Sequence, residues 1–169
     1  MQEVGLPEGV VNILTGAGET GKLLAEHKSV NKVAFTGSTA VGKSLMRSTA
    51  GTGKKLTLEL GGKSANIIFA DAAIDQAVEG IVSGIYFNQG HVCCAGSRLF
   101  VEEPILDEVV SKLTHRLRSL RVGNPLDKNT DLGAINSQEQ LDTVERYIRN
   151  GTEEGAQLHE IHSERLPSK

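Results

Sequence analysis

The sequence predicts an α/β fold built on parallel strands. Two observations carry this reading: short apolar runs alternate with segments of helical period, and glycine-rich turns separate them. The connections between runs are of helix length, so consecutive strands must run parallel through right-handed crossovers. Residues 10–14 read as a first strand, followed by a glycine-rich stretch over 15–21 and a helix on which Leu23, Leu24 and His27 recur. Residues 32–35 read as the next strand, Val41, Leu45 and Met46 give the following helix its apolar side, and 56–60 make a third strand.

Beyond Gly61-Gly62 the elements lengthen. Residues 65–69 are strand-like, and Asp71 is the expected N-cap of a long helix. Ile74, Val78, Ile81 and Ile85 repeat on it at the 3.6 period, and it ends near 87–90. A strand over 99–101 precedes an amphipathic helix marked by Leu106, Val109, Val110, Leu113, Leu117 and Leu120, which Gly123-Asn124-Pro125 stops. Ser137 and Gln140 form a capping box ahead of Leu141, Val144 and Ile148. Residues 157–169 are polar, lack a period, and read as a loop.

Composition narrows the function classes. With 38% apolar and 23% charged residues the chain reads as soluble and globular, and its 169 residues suffice for a real core. A formal charge of -3 gives no reason to expect nucleic acid or an anionic membrane as partner. The histidines are scattered without metal-ligand spacing, so no metal site is expected. No apolar run reaches the length of a membrane span, and residues 1–5 lack the features of a signal peptide. Cys93 and Cys94 are adjacent, which makes a poor cross-link; the pattern suits a reducing cytosol and a thiol kept for reactivity.

Three motifs compete. Gly16-x-Gly18-x-x-Gly21 has the letters of a dinucleotide fingerprint, but the next strand ends in Phe35-Thr36-Gly37 without the companion acid, and a plain glycine-rich turn is the alternative. Residues 37–44 fit the P-loop pattern, with Ile67-Ile68-Phe69-Ala70-Asp71 as a possible metal-holding strand; the alternative is a helix start capped by Ser38 with Lys43 exposed. Either way, free N–H groups at a helix N-terminus attract phosphate oxygens. The third is Leu58-Glu59-Leu60-Gly61-Gly62-Lys63 followed by Phe87-Asn88-Gln89-Gly90-His91-Val92-Cys93-Cys94-Ala95-Gly96-Ser97. A carboxylate among leucines is one whose proton affinity can be raised toward working pH, and a cysteine bracketed by small residues leaves room for a substrate carbon. Either residue alone has an ordinary structural explanation; their joint occurrence favours chemistry.

At these residues the sequence resembles the aldehyde dehydrogenase family. The segments 5–12, 33–38, 58–63 and the Cys93 stretch all match, in the family's order and close to its spacing, and 123–126 and 131–133 fit as well. The resemblance implies a fragment of a doubly wound Rossmann-like coenzyme domain over 1–60, the C-terminal part of the NAD(P)-binding domain, followed by the N-terminal part of an α/β catalytic domain over 61–169. It implies Cys93 as nucleophile and Glu59 as general base, with Cys94 a small packed neighbour. It places Gly37, Ser38 and Gly42 at the helix receiving the pyrophosphate of NAD or NADP, Val41 beside the adenine, and the backbone of Leu60 and Gly61 against the nicotinamide.

The implied reaction is oxidation of an aldehyde to a carboxylic acid through a thiohemiacetal and a thioester on Cys93, in a cytoplasmic homo-oligomeric enzyme. His91 departs from the usual glutamine and reads as a loop residue. The family's upstream oxyanion asparagine and downstream Glu-x-Phe-Gly-Pro segment have no counterpart, so this chain alone is expected to be inactive and marginally stable. The rival readings are a P-loop nucleotide hydrolase and a non-catalytic interaction module of the same fold.

Overall fold

The computed structural model describes residues 2–161 and 164–165, and divides into two compact units, Met1–Gly61 and Gly62–Lys169. The first unit is a helix followed by a strand–helix–strand repeat: α1 (Gly18–Glu26), β1 (Lys32–Gly37), α2 (Thr39–Thr49) and β2 (Lys55–Leu60). β1 and β2 pair in parallel, with Thr36 opposite Glu59 and Gly37 opposite Leu60. Alternation along β2 turns Leu56, Leu58 and Leu60 to one face and Lys55, Thr57 and Glu59 to the other. The Lys54 ammonium donates to the carbonyls of Ala25 (2.7 Å) and His27 (2.9 Å), satisfying acceptors that the end of α1 leaves open.

The second unit repeats the logic at greater length, with β3 (Ala65–Ile68), α3 (Ile74–Tyr86), β4 (Arg98–Val101), α4 (Leu106–Leu117), β5 (Arg121–Val122), α5 (Gln138–Glu153) and β6 (Glu164–Arg165). β3 and β4 are parallel neighbours, as are β5 and β6. The core forms where Val82 meets Leu117 and Leu120, joined by Tyr86, Leu113 and Leu132. Val109, the most completely enclosed large side chain described, is 1% exposed. Lys112 to Asp75 (2.6 Å) and Arg116 to Glu79 (2.7 Å) link α4 to α3 along their solvent side, where water screens both pairs and each contributes little.

The α/β class and the parallel pairing agree with the sequence, and four expectations do not hold. Residues 10–14 form no strand, because a strand needs a ladder and nothing among the described residues pairs with them; Ile13 is 77% exposed. Asp71 does not cap α3: a turn closed by Ala72 N–H to Phe69 O (3.0 Å) takes that residue, and the first helical bond goes to the Ala73 carbonyl. α4 ends at Leu117, before Gly123, since the chain turns into the two-residue β5. Of the stretch read as loop, Glu164–Arg165 pairs with β5, whereas residues 162–163 and 166–169 lie outside the described residues. Ser137 does cap α5, accepting from Gln140 N–H at 3.2 Å.

Among the described residues each sheet is two-stranded, and large apolar side chains such as Ile13, Leu14, Ile67, Phe69 and Phe100 stand in solvent. A two-stranded pair is marginal without further cover. The chain alone is therefore expected to bind a hydrophobic dye and to unfold over a broad temperature range. A sharp calorimetric transition of a soluble monomer would contradict this.

Candidate active site

In the first unit, the expected site residues collect at the carboxyl ends of two parallel strands, the edge where ligands bind to open α/β sheets. Glu59 and Leu60 end β2, Gly37 ends β1, and Ser38 caps α2. Gly61 follows β2, and a Cβ there would come 4.0 Å from the Thr39 hydroxyl, so the strand end lies against the helix start. The Ser38 hydroxyl accepts from Val41 N–H (3.3 Å), and Gly42 N–H donates to Ser38 O (3.0 Å). The N–H groups of Thr39 and Ala40 have no acceptor among the described residues and form an anion-attracting helix terminus.

This geometry corrects one expectation, that of an enclosed Glu59, and gives Gly42, which lies on α2 as expected, a packing role. Gly42 cannot offer its N–H to a phosphate, because the helix already uses it. Its role is close packing: it is buried, and a Cβ there would lie 2.6 Å from a Leu60 methyl. Glu59 is not enclosed by leucines. The strand pleat turns it to the opposite, exposed face, where it makes no hydrogen bond or ion pair with the described residues.

The P-loop reading fails on the same grounds. That motif needs a loop whose successive N–H groups wrap a phosphate, whereas here helix begins at Thr39 and the intervening residues are regular α2. Lys43 is exposed, as the alternative required.

A cavity of about 670 Å³ opens between α1, β1 and α2, in the size range of small-molecule sites. Ala25, Val33, Phe35, Val41 and Leu45 give it apolar walls, with Lys22 among the polar lining residues. Of the expected cofactor residues, Val41 is the one that lines it. The sequence reading missed the α1 wall, although the weak glycine fingerprint was its signal: Gly18 and Gly21 both line the cavity.

In the second unit, Cys93 and Cys94 occupy the two central positions of a turn closed by Ala95 N–H to Val92 O (3.0 Å). Both thiols are free and exposed, so Cys94 is not the packed neighbour expected; the turn points both corner residues outward. Turn geometry also leaves the Cys93 N–H without an acceptor among the described residues. Gly62 runs against this turn: a Cβ there would meet the Cys93 carbonyl oxygen at 3.0 Å. Asn66 on β3 donates to Gly96 O (3.0 Å), and Arg98 Nε donates to Lys63 O (3.0 Å), so the strand after Gly62 braces the loop from one side.

The approach to the turn is unusual. Asn88 (φ 50°), Gln89 (φ 54°) and Gly90 (φ 75°) are all left-handed, which costs about 1–2 kcal/mol at a non-glycine residue. Asn tolerates this region and Gln less so. His91 follows as the expected loop residue, its N–H on Asn88 O (2.9 Å), and its ring makes no hydrogen bond with either thiol. Farther along, Arg121 grips Asp131 through Nε to Oδ2 (2.9 Å) and its own N–H to Oδ2 (2.8 Å). The Arg121 side-chain and backbone donors hold the Asp131 carboxyl below its ordinary value of 3.8.

The sequence profile described as the aldehyde dehydrogenase family matches residues 1–164. An aldehyde dehydrogenase of Alternaria alternata is 46% identical over 160 residues, covering 94% of this chain and 32% of the relative. Among solved structures, the NAD+ complex of an aldehyde dehydrogenase from Bacillus cereus superposes with a TM-score of 0.89 at 43% identity, covering 92% of this chain and 32% of that one. Betaine aldehyde dehydrogenase from Staphylococcus aureus with NAD+ gives a TM-score of 0.89 at 39% identity over 94% of this chain and 32% of the other. The chain thus spans about a third of the length of the relatives it matches.

Two outcomes follow from the packing. Gly42→Ala should lower the unfolding free energy by about 1–3 kcal/mol, because Leu60 must leave its place; an unchanged urea midpoint would contradict the contact. Asp131 titrates with a lowered folded value, so its ion pair stabilises above the ordinary carboxylate range and loses that effect as pH falls through the lowered value. The stability gap between wild type and Asp131→Asn should accordingly be flat above about pH 5 and shrink below about pH 4. A gap independent of pH in urea titrations would show that Arg121 does not set it.

Proposed function

This chain belongs to the aldehyde dehydrogenase family, and from that premise we propose that the protein carrying it oxidises aldehydes to carboxylic acids with NAD(P)+, using Cys93 as nucleophile and Glu59 as general base. The observation that carries the reading is the Cys93 turn. Its thiol faces solvent, and its own N–H is free to meet a developing oxyanion.

The Cys93 sulfur, as thiolate, attacks the aldehyde carbonyl carbon, and the carbonyl π electrons move onto oxygen. The Cys93 N–H then donates to that oxyanion. Bound NAD(P)+ supplies the acceptor for the hydride that leaves this carbon. What remains on Cys93 is a thioester. Glu59 takes a proton from water, whose oxygen attacks the acyl carbon; the C–S bond breaks, and the acid leaves with the thiol restored.

For the cofactor, Val41 in the apolar cavity wall suits a purine face, and the open N–H groups of Thr39 and Ala40 beside Gly37 and Ser38 suit a pyrophosphate. Leu60 and Gly61 would present backbone to the nicotinamide, with Gly42 acting through its packing on Leu60. NAD+ is favoured over NADP+, since the Bacillus cereus and Staphylococcus aureus neighbours are NAD+ complexes. Two exposed free thiols suit a reducing compartment such as the cytosol, and no helix among the described residues is long and apolar enough to cross a membrane.

In the natural protein, Cys93→Ser should abolish aldehyde-dependent NAD+ reduction while NAD+ still binds. Glu59→Gln should slow thioester hydrolysis far more than cofactor binding, seen as a retained burst of NADH with a depressed steady state. Unchanged steady-state turnover in Glu59→Gln would remove it from the general-base role.

A further inference from the structure

The left-handed turn ahead of Cys93 needs something to hold it, and the side chain of Gln89 reaches out of it. With its amide oriented to give both ends a partner, Nε2 donates to Asn88 O (3.1 Å) and Oε1 accepts from Gly133 N–H (2.9 Å). Gly133 is no loose end. It follows Leu132, whose N–H donates to Arg121 O (3.0 Å), whose carbonyl accepts from Gly123 N–H (3.0 Å), and whose side chain packs on the Val82, Leu117 and Leu120 core. Tyr86, the last residue of α3, packs on the same core, and burial pushes its phenol above the ordinary value. The chain therefore leaves the core at Tyr86, turns left-handed over 88–90, and is fastened by Gln89 to Gly133, next to the core-packed Leu132 bridged to Val122, before it reaches the thiol.

Resting on the reading of Cys93 as nucleophile, we propose that Gln89 is a positioning residue, whose bridge to the Gly133 N–H fixes the left-handed turn and so sets the direction in which the Cys93 thiol is presented. The physical case is one of strain against restraint. A glutamine at φ 54° has lower-energy alternatives, and the turn persists only if its surroundings over-determine it. The bridge restrains the turn from a distant segment; Asn88 Nδ2 to His91 O (3.2 Å) and His91 N–H to Asn88 O are local to it. Without the bridge the turn can relax, and Cys93, four residues on, swings with it.

The test uses the natural protein in three variants, reading the rate of the first NADH burst, the steady-state KM and kcat, and the NAD+ Kd. Gln89→Asn keeps an amide and tolerates positive φ, yet is one methylene too short to reach Gly133. It should leave NAD+ affinity unchanged and slow the burst by about tenfold or more, the scale of a misplaced reacting group. Gln89→Glu keeps an oxygen for the Gly133 N–H and should restore most of the burst rate. A wild-type burst in Gln89→Asn, or a Gln89→Glu as slow as Gln89→Asn, overturns the proposal. Cys93→Ser separates the two readings: if it still oxidises aldehyde, the nucleophile assignment fails whatever Gln89 does, and if it is inert while Gln89→Asn is normal, only the positioning role fails.

Discussion

The proposed chemistry depends on how the chain between α3 and β4 is held, because Cys93 lies there beyond the short 3-10 turn Phe87–Gly90, with no regular helix or strand at its own position. A loop of this kind is set by point contacts, and here they come from two directions. Gly62 lies so close to the Cys93 carbonyl that a methyl group would displace it, with the Asn66 and Arg98 bonds alongside. On the approach, three left-handed residues redirect the chain within a single turn. The backbone strain of that turn is stored just ahead of the proposed nucleophile, and functional sites are a common location for such strain.

The start of α2 shows a second constraint, in which similar letters meet different physics. Residues 37–44 spell a phosphate loop, but the fold turns them into a helix from Thr39 onward. A helix start offers a phosphate its first N–H groups and nothing more, which suits the diphosphate of a dinucleotide as well as it would a nucleotide triphosphate. The distinction rests on Gly42. In a phosphate loop that glycine frees the backbone to bend round the ligand, whereas here it lets a helix settle onto Leu60 of β2. The strand carrying Glu59 is thereby locked in depth against the helix whose N-terminus faces the same edge.

The elements legible in the sequence were those with a strong local period. α2, α3 and α4 follow from their apolar spacing, and β1, β2 and β4 from short apolar runs bounded by glycine or polar residues. Residues 10–14 look like a strand because Val, Ile and Leu favour one, yet pairing is a tertiary event and propensity does not supply a partner. The N-cap of α3 lies two residues beyond the expected Asp71, at Ala73, since an aspartate serves a turn as readily as a cap. Cys93 and Glu59 were legible as motif members, but their exposure was not: a leucine on either side of Glu59 reads as enclosure until the pleat separates the faces. Gln89 stood within the Cys93 motif, but the motif gave no sign of a structural role for it. Its bond to Gly133 joins positions far apart in sequence, and nothing in a glutamine announces a positive φ.

Exposure of both proposed catalytic groups has a further meaning. An oxyanion donor gains most of its strength when water is excluded, and a carboxylate becomes a better base as it loses solvation. The Cys93 turn and the Glu59 strand end supply position without that dry environment, because each stands in solvent within its own unit. Position and dielectric are separate contributions to a rate, and a fold can provide the first from short local elements. The second needs cover, and the matched relatives are about three times the length of this chain. On the proposed reading, the elements described here set the positions of Cys93 and Glu59, whereas their strength as nucleophile and base depends on the protein surface that covers them.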